Sequence, residues 1–188
     1  METPAQVFQT LMTLFERFGA QQYGEDVTQQ EHMLQCAYLA EQSNESDAIV
    51  VASLLHDVGH FVGPQDDDLI ADGTPAEDFK HEVLGARYLA KYFPEEITVP
   101  IQLHVAAKRY LCAVDEHYYD TLSDASKHSL KLQGGVMTAA QVKKFEQSPH
   151  FEQVMKVRYY DDHGKQVGLD IPGLSYYQDR VMAFLTSH

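Results

Sequence analysis

The chain has 188 residues and a formal net charge of -14, from 14 Lys and Arg against 28 Asp and Glu. That length suits one domain, taken as 1–188, with a single core. The charge argues against duplex nucleic acid, which needs clustered cations to neutralise phosphates, but it leaves room for a small anionic substrate held by a few local cations or metal ions.

The first predicted helix covers residues 6–18, where Val7, Phe8, Leu11, Met12, Phe15 and Phe18 recur at helical spacing. The second starts near Thr28, because Thr28 and Glu31 have capping-box spacing. After the polar break Gln42–Ser46, "ESDAIVVASLLHD" is the third. Residues 61–77 hold Gly63, Pro64, three aspartates, Gly73 and Pro75 and are expected to be a long exposed loop. Helices follow at about Asp78–Phe93 and Thr98–Tyr110, and residues 111–130 are helical but more polar. "LQGGVMT" is a turn. Ser148 before Pro149 marks a helix start with proline at the first helical position. "DIPGL" precedes a last helix at 174–186. With no sustained two-residue alternation, the expected fold class is all-α.

No window approaches the roughly 18 consecutive apolar residues of a membrane span, and no basic segment precedes an apolar run at the N-terminus. Cys36 and Cys112 lie in apolar helical contexts and read as buried thiols rather than a disulfide. A cytoplasmic protein with no membrane and no nucleic-acid partner is expected.

"LLHDVGH" is the most informative stretch. An adjacent His56–Asp57 pair closing an apolar helix buries polar groups that need partners, and a metal ion is one good partner. His32, His81, His104 and Asp161 also fall on or beside predicted helices, which hold side chains in place. Asp57 has two oxygens and could bridge two metals. Any one of the ten histidines is by default an ordinary polar residue, and His117, His128, His150, His163 and His188 are left so. Two cations sit beside candidate ligands. Lys108 follows His104 by four residues, and Arg158 precedes Asp161 by three, so each pair shares a helix face. Such a pair suits a dianionic phosphonate, Arg158 offering a fork and Lys108 a point charge. Ser126 and Gln133 supply neutral donors. Each of these four also has a plain structural reading, as a solvated charge, a helix cap or a turn residue.

The order His32, His56–Asp57, Asp161 resembles the HD-domain superfamily of helical metalloproteins, and His81 and His104 match its dinuclear members. Most of that superfamily are phosphohydrolases, and a smaller branch activates oxygen at a di-iron site. "YGEDVTQQEHMLQ" and "YLCAVDEHYYDTLSDASKHSLKLQGG", together with the ligand helices, resemble the 2-amino-1-hydroxyethylphosphonate dioxygenases from about residue 20 to residue 165. The resemblance implies a phosphonate pocket of Lys108, Ser126, Gln133 and Arg158, with His60 near the reacting carbon. It implies a lid of Tyr23 and Glu25, and Glu25, seven residues before His32, is the best-placed carboxylate to meet a substrate's cationic head. Only Gly24 separates Tyr23 from Glu25, one residue fewer than the family pattern, which displaces Tyr23 by one.

The implied cofactor is a mixed-valent Fe(II)/Fe(III) pair on His32, His56, Asp57, His81, His104 and Asp161. The implied substrates are O2 and a 1-hydroxy-2-aminoethylphosphonate or its N-trimethyl analogue, giving phosphate with glycine or glycine betaine. The alternatives are an HD phosphohydrolase acting on a nucleotide or phosphomonoester, and a catalytically silent HD-fold regulatory protein.

Overall fold

The computed structural model describes residues 2–22, 26–62 and 80–185. Tyr23, Glu25, residues 63–77 of the expected loop, the start of the helix expected at about Asp78 and the last residue of the expected C-terminal helix lie outside these. The described residues form helices and turns; their one β feature is an isolated antiparallel bridge between Gln22 and Thr28. The all-α expectation therefore holds. No described helix is long and apolar enough to cross a membrane.

Helix α1 (Pro4–Phe18) opens on a Thr3–Gln6 capping box with Pro4 in its first turn. Helix α2 (Gln29–Gln42) opens on the expected Thr28–Glu31 box, in which Thr28 N donates to Glu31 Oε2 at 2.7 Å. Helix α3 (Asp47–Leu55) is capped by Ser46 and buried on every side, which explains its continuous apolar run. A short helix α4 (Gly59–Val62) follows, so Phe61 and Val62 belong to a helix and not to the expected loop.

Helix α5 (His81–Leu89) is shorter than expected and stops before Phe93. Turn bonds from Tyr92 N and Phe93 N to Leu89 O close its end, and Pro94 keeps Phe93 from continuing the helix. Pro94 then caps α6 (Glu95–Val114), which starts three residues before the expected Thr98, with Glu95 and Glu96 favourably placed at its positive end. Residues 111–130 are not one helix. The chain leaves α6 at Asp115, makes the single turn α7 (Tyr118–Thr121), and restarts at α8 (Asp124–Leu132), capped by the Ser123 hydroxyl.

Helix α9 (Ala139–Glu146) has no counterpart among the expected elements, although Thr138 and Gln141 form a capping box. Helix α10 (Phe151–His163) begins two residues after Pro149; Ser148 and Pro149 make a turn, with Phe151 N donating to Ser148 O at 3.1 Å. The expected last helix is a 3-10 turn, Leu174–Tyr177, leading into α11 (Gln178–Ala183).

Helix α3 sits at the centre, packed by α2, α6 and α10. Leu54, Leu55, Val58, Leu89, Ile101 and Val157 belong to one continuous core around it. Helices α4 and α5 meet through two glycines. A Cβ on Gly59 would lie 1.9 Å from the carbonyl oxygen of His81, and one on Gly85 would lie 2.9 Å from Gly59 N. Only backbone opposes backbone there, so no side chain can yield. Gly59→Ala is expected to cost about 3 kcal/mol or more, the upper end for forced overpacking, and to displace His81. Chemical denaturation and metal content check this; a variant as stable and as fully loaded as the parent would refute the contact.

Candidate metal centre and adjoining cavity

Five helices and one turn converge on a buried group of imidazoles and carboxylates. His32 lies in the first turns of α2, His56 caps the C-terminus of α3, and Asp57 follows it in the turn. His81 is the first residue of α5, preceded by Lys80 in a left-handed conformation (φ 50°). His104 lies in the middle of α6, and Asp161 lies in the last turn of α10. All six side chains are buried, with His32, His56 and Asp57 fully so.

Asp57 stands between two pairs of imidazoles. Its Oδ2 faces His56 Nε2 at 3.4 Å and His32 Nε2 at 3.7 Å. Its Oδ1 faces His81 Nε2 at 3.3 Å and His104 Nε2 at 3.6 Å. Within each pair the Nε2 atoms are close, 3.2 Å for His32 and His56 and 3.3 Å for His81 and His104. Asp161 Oδ1 completes the first group, 3.3 Å from His32 Nε2 and 3.7 Å from His56 Nε2.

The far side of three rings is tied to a carbonyl. Nδ1–H donates from His32 to Gly164 O at 2.9 Å, from His56 to Ser53 O at 2.8 Å and from His104 to Ile101 O at 2.7 Å. A carbonyl can only accept, so each Nδ1 carries a hydrogen and each Nε2 is the nitrogen turned inward, able to ligate through its lone pair. This is how ligating histidines are oriented. Gly164 fits the first of these bonds closely, since a Cβ on it would lie 2.5 Å from Cys36 Sγ. Cys36 itself donates from sulfur to Tyr160 O at 3.2 Å. Both cysteines are free thiols, and Cys112 is half-buried rather than buried.

Among the described residues, neither oxygen of Asp57 accepts a hydrogen bond, although the carboxylate is fully buried. Such a group is costly unless paired or coordinated. A metal ion on each side satisfies both oxygens and all four lone pairs. The donor set of nitrogen and oxygen suits iron, manganese or zinc.

The charges in the metal-free centre follow from burial and from Asp57. Burial works to lower the His56 pKa, but the Asp57 and Asp161 carboxylates override it and raise His56 to about 10. Burial, reinforced by neighbouring imidazoles, depresses His104 to about 3. Asp57 is held well below the usual carboxylate range: burial opposes this, and His56 and His81 prevail. A raised folded pKa means that protonated His56 stabilises the metal-free fold below about 6.5 and loses that effect as pH rises through about 10. A metal must displace that proton. Metal uptake at pH 7.5 is therefore expected to release about one proton at His56, with affinity rising with pH. Titration calorimetry in two buffers of different ionisation enthalpy measures this. Identical heats in both would contradict it.

The remaining candidate residues lie around this centre. The His60 ring stacks on His81, with centroids 4.2 Å apart at 19°. Burial, then His81, lowers its pKa to about 3, so it is a neutral imidazole. Lys108 is buried and donates from Nζ to Ser129 Oγ at 2.7 Å. Arg158 is buried too. Its Nη1 donates to Asp161 Oδ2 at 2.7 Å and its Nη2 donates to Asp162 Oδ1. Its Nε has no acceptor among the described residues, and neither has the buried Gln133 Oε1 a donor. Ser126 accepts at Oγ from Lys165 Nζ at 3.4 Å.

A cavity of about 270 Å³ opens here, lined by Thr121, Leu122, Ser123, Ser126, Asp162, His163 and Lys165. Of its lining residues, Asp162 is linked to the metal centre by side-chain contacts, through Arg158 to Asp161. Lys165, Ser129, Asp162 and Tyr118 were not among the expected site residues. For Asp162 and Lys165 the available signal was position, one and four residues beyond Asp161 at the end of α10. For Ser129 it was the spacing of three from Ser126 on one helix.

Comparison with known proteins adds three similarities. The HD-domain family model matches residues 30–134, more than half of the chain. The chain is 44% identical over 176 residues to [1-hydroxy-2-(trimethylamino)ethyl]phosphonate dioxygenase (glycine-betaine-forming) of Leisingera caerulea, covering 93% of this chain and 88% of that protein. It is 42% identical over 184 residues to hydroxymethylphosphonate dioxygenase of Gimesia maris, covering 98% and 90% respectively.

Proposed function

The chain belongs to the HD-domain family, and from that premise we propose that it is a di-iron oxygenase cleaving the carbon–phosphorus bond of a 1-hydroxyphosphonate. Asp57 carries the reading: a buried carboxylate that accepts no hydrogen bond among the described residues, with a pair of inward-facing imidazoles on each oxygen. His32, His56 and Asp161 would hold one iron, His81 and His104 the other, and Asp57 would bridge them. The iron pair, when bound, supplies O2 activation and charge stabilisation.

The reaction balances without a further reductant. A 1-hydroxyphosphonate and O2 give a carboxylic acid and phosphate: glycine from the primary amine, glycine betaine from the trimethylated one, and formate when the amine-bearing carbon is absent. The chain's own residues bind and orient. Lys108, Lys165 and the unused donors of Arg158 neutralise a phosphonate dianion, with Ser126 and Gln133 as neutral partners. His60, neutral and stacked on His81, stands beside the centre, where the reacting carbon would sit. Glu25, seven residues before His32 in the sequence, would meet a cationic head, with Tyr23 as its partner in the lid. Cytoplasmic localisation and a single domain over 1–188 belong to the same proposal.

The deciding experiment uses protein purified without oxygen and loaded with iron. Mössbauer and EPR spectra should report a coupled iron pair. Phosphorus NMR should report phosphate release that requires O2 from one of the three hydroxyphosphonates. Oxygen-independent hydrolysis of a nucleotide or phosphomonoester by the zinc or manganese form would replace this reading with the phosphohydrolase.

A further inference from the structure

The contacts around Arg158 continue outward as a chain. Nη1 donates to the candidate ligand Asp161, Nη2 donates to Asp162 Oδ1, and the Tyr118 hydroxyl donates to Asp162 Oδ2 at 2.7 Å. Both oxygens of Asp162 are therefore engaged. This matters because Asp162 also lines the cavity that holds Ser126 and Lys165. An uncommitted carboxylate in that wall would repel a dianion and compete with it for Arg158 and Lys165.

Tyr118 reaches Asp162 from α7, a single turn with no buried residue of its own. Thr121, which ends that turn, and Leu122 and Ser123, which follow it, wall the same cavity. The Tyr118–Asp162 bond thus ties the cavity wall to α10, three side chains from the metal centre. Burial raises the Tyr118 phenol above its ordinary range, so it stays a donor at any working pH.

Resting on the reading that this cavity takes a phosphonate, we propose that Tyr118 and Asp162 are positioning residues. The Tyr118 hydroxyl fixes the Asp162 carboxylate on Arg158, which aligns the guanidinium for the phosphonate and withholds the Asp162 charge from it. Neither side chain touches the reacting atoms.

The test compares the full iron-loaded chain with Tyr118→Phe and Asp162→Asn, both nearly isosteric. Inorganic phosphate and methylphosphonate are the binding probes, titrated by calorimetry without oxygen, and steady-state kinetics follow with the accepted hydroxyphosphonate. For Tyr118→Phe the expected result is two metals per chain, roughly tenfold weaker phosphate binding and a KM raised by a similar factor, with kcat within about threefold. Asp162→Asn removes a negative charge from the wall but also the ion pair that aligns the guanidinium, so the proposal expects a net weakening of phosphate binding, and tighter binding would overturn it. A lower melting temperature or metal content with unchanged probe affinity and KM would make the bond merely structural and overturn the proposal. Failure of the parent protein to bind either probe would overturn the phosphonate reading itself, and the proposal with it.

Discussion

Asp57→Ala should lose both metal ions, and turnover should fall by more than about a thousandfold once the ions that drive the chemistry are gone. The expectation follows from the position of the carboxylate, with one oxygen facing His32 and His56 and the other facing His81 and His104. Two independent sites would each survive the loss of a neighbour's ligand; a bridged pair would not. His104→Ala is the control. It removes one imidazole from the second group and leaves Asp57, His32, His56 and Asp161 in place, so one ion should remain while turnover is still lost. Elemental analysis of both variants after anaerobic loading separates the two cases. Two ions retained in Asp57→Ala would sink the bridged centre.

The legible part of the site was what residue type and spacing encode. His56 and Asp57 stand out because they end a run so apolar that no solvent-exposed reading fits. Thr28 and Glu31 announce the helix that carries His32, and the structure shows that box formed. What holds the rings in place was not legible. Three of the four histidines donate to main-chain carbonyls, and every residue has one of those, so no side-chain pattern marks Ser53, Ile101 or Gly164 as a partner. Gly59 and Gly85 matter for what they lack, room for a methyl group between two backbones, which is a property of packing.

The helix boundaries were misplaced mostly by single residues with local effects. Pro94 keeps Phe93 out of the preceding helix and caps the next, and Ser123 begins α8 where a continuous polar helix was expected. The cavity walls depend on these breaks. Tyr118 meets Asp162 across 44 residues of sequence and Lys108 meets Ser129 across 21, both because the chain breaks after α6 and passes through the single turn α7 before α8 begins. A reading that runs 111–130 together cannot bring those pairs into contact. Sequence spacing put Lys108 and Arg158 beside ligands; only the fold pairs them with Ser129 and Asp162.

Arg158→Ala should be damaging in two measurable ways. The buried guanidinium holds the carboxylates of Asp161 and Asp162, so its removal leaves two acids without their cation. Breaking a buried pair in this way typically costs about 3–5 kcal/mol. Losing one charge-assisted bond to a phosphonate adds about 1.5–3 kcal/mol, or roughly 10- to 150-fold in affinity. The pH dependence has a definite sign. Burial pushes the Asp161 pKa up, yet Arg158 and the facing imidazoles hold it well below the usual range. A depressed folded pKa contributes stability above about 3.9, lost as pH falls through the folded value. Without Arg158 the Asp161 carboxyl moves upward, so acid should strip the metals at a higher pH than in the parent. Arg158→Lys restores charge but not the fork that spans Asp161 and Asp162, so it should recover part of the stability and less of the phosphonate affinity. Thermal melting, metal retention against pH, and phosphate titration give the three readouts. If Arg158→Ala matched the parent in all three, the guanidinium would be neither the anchor of Asp161 nor a ligand of the phosphonate.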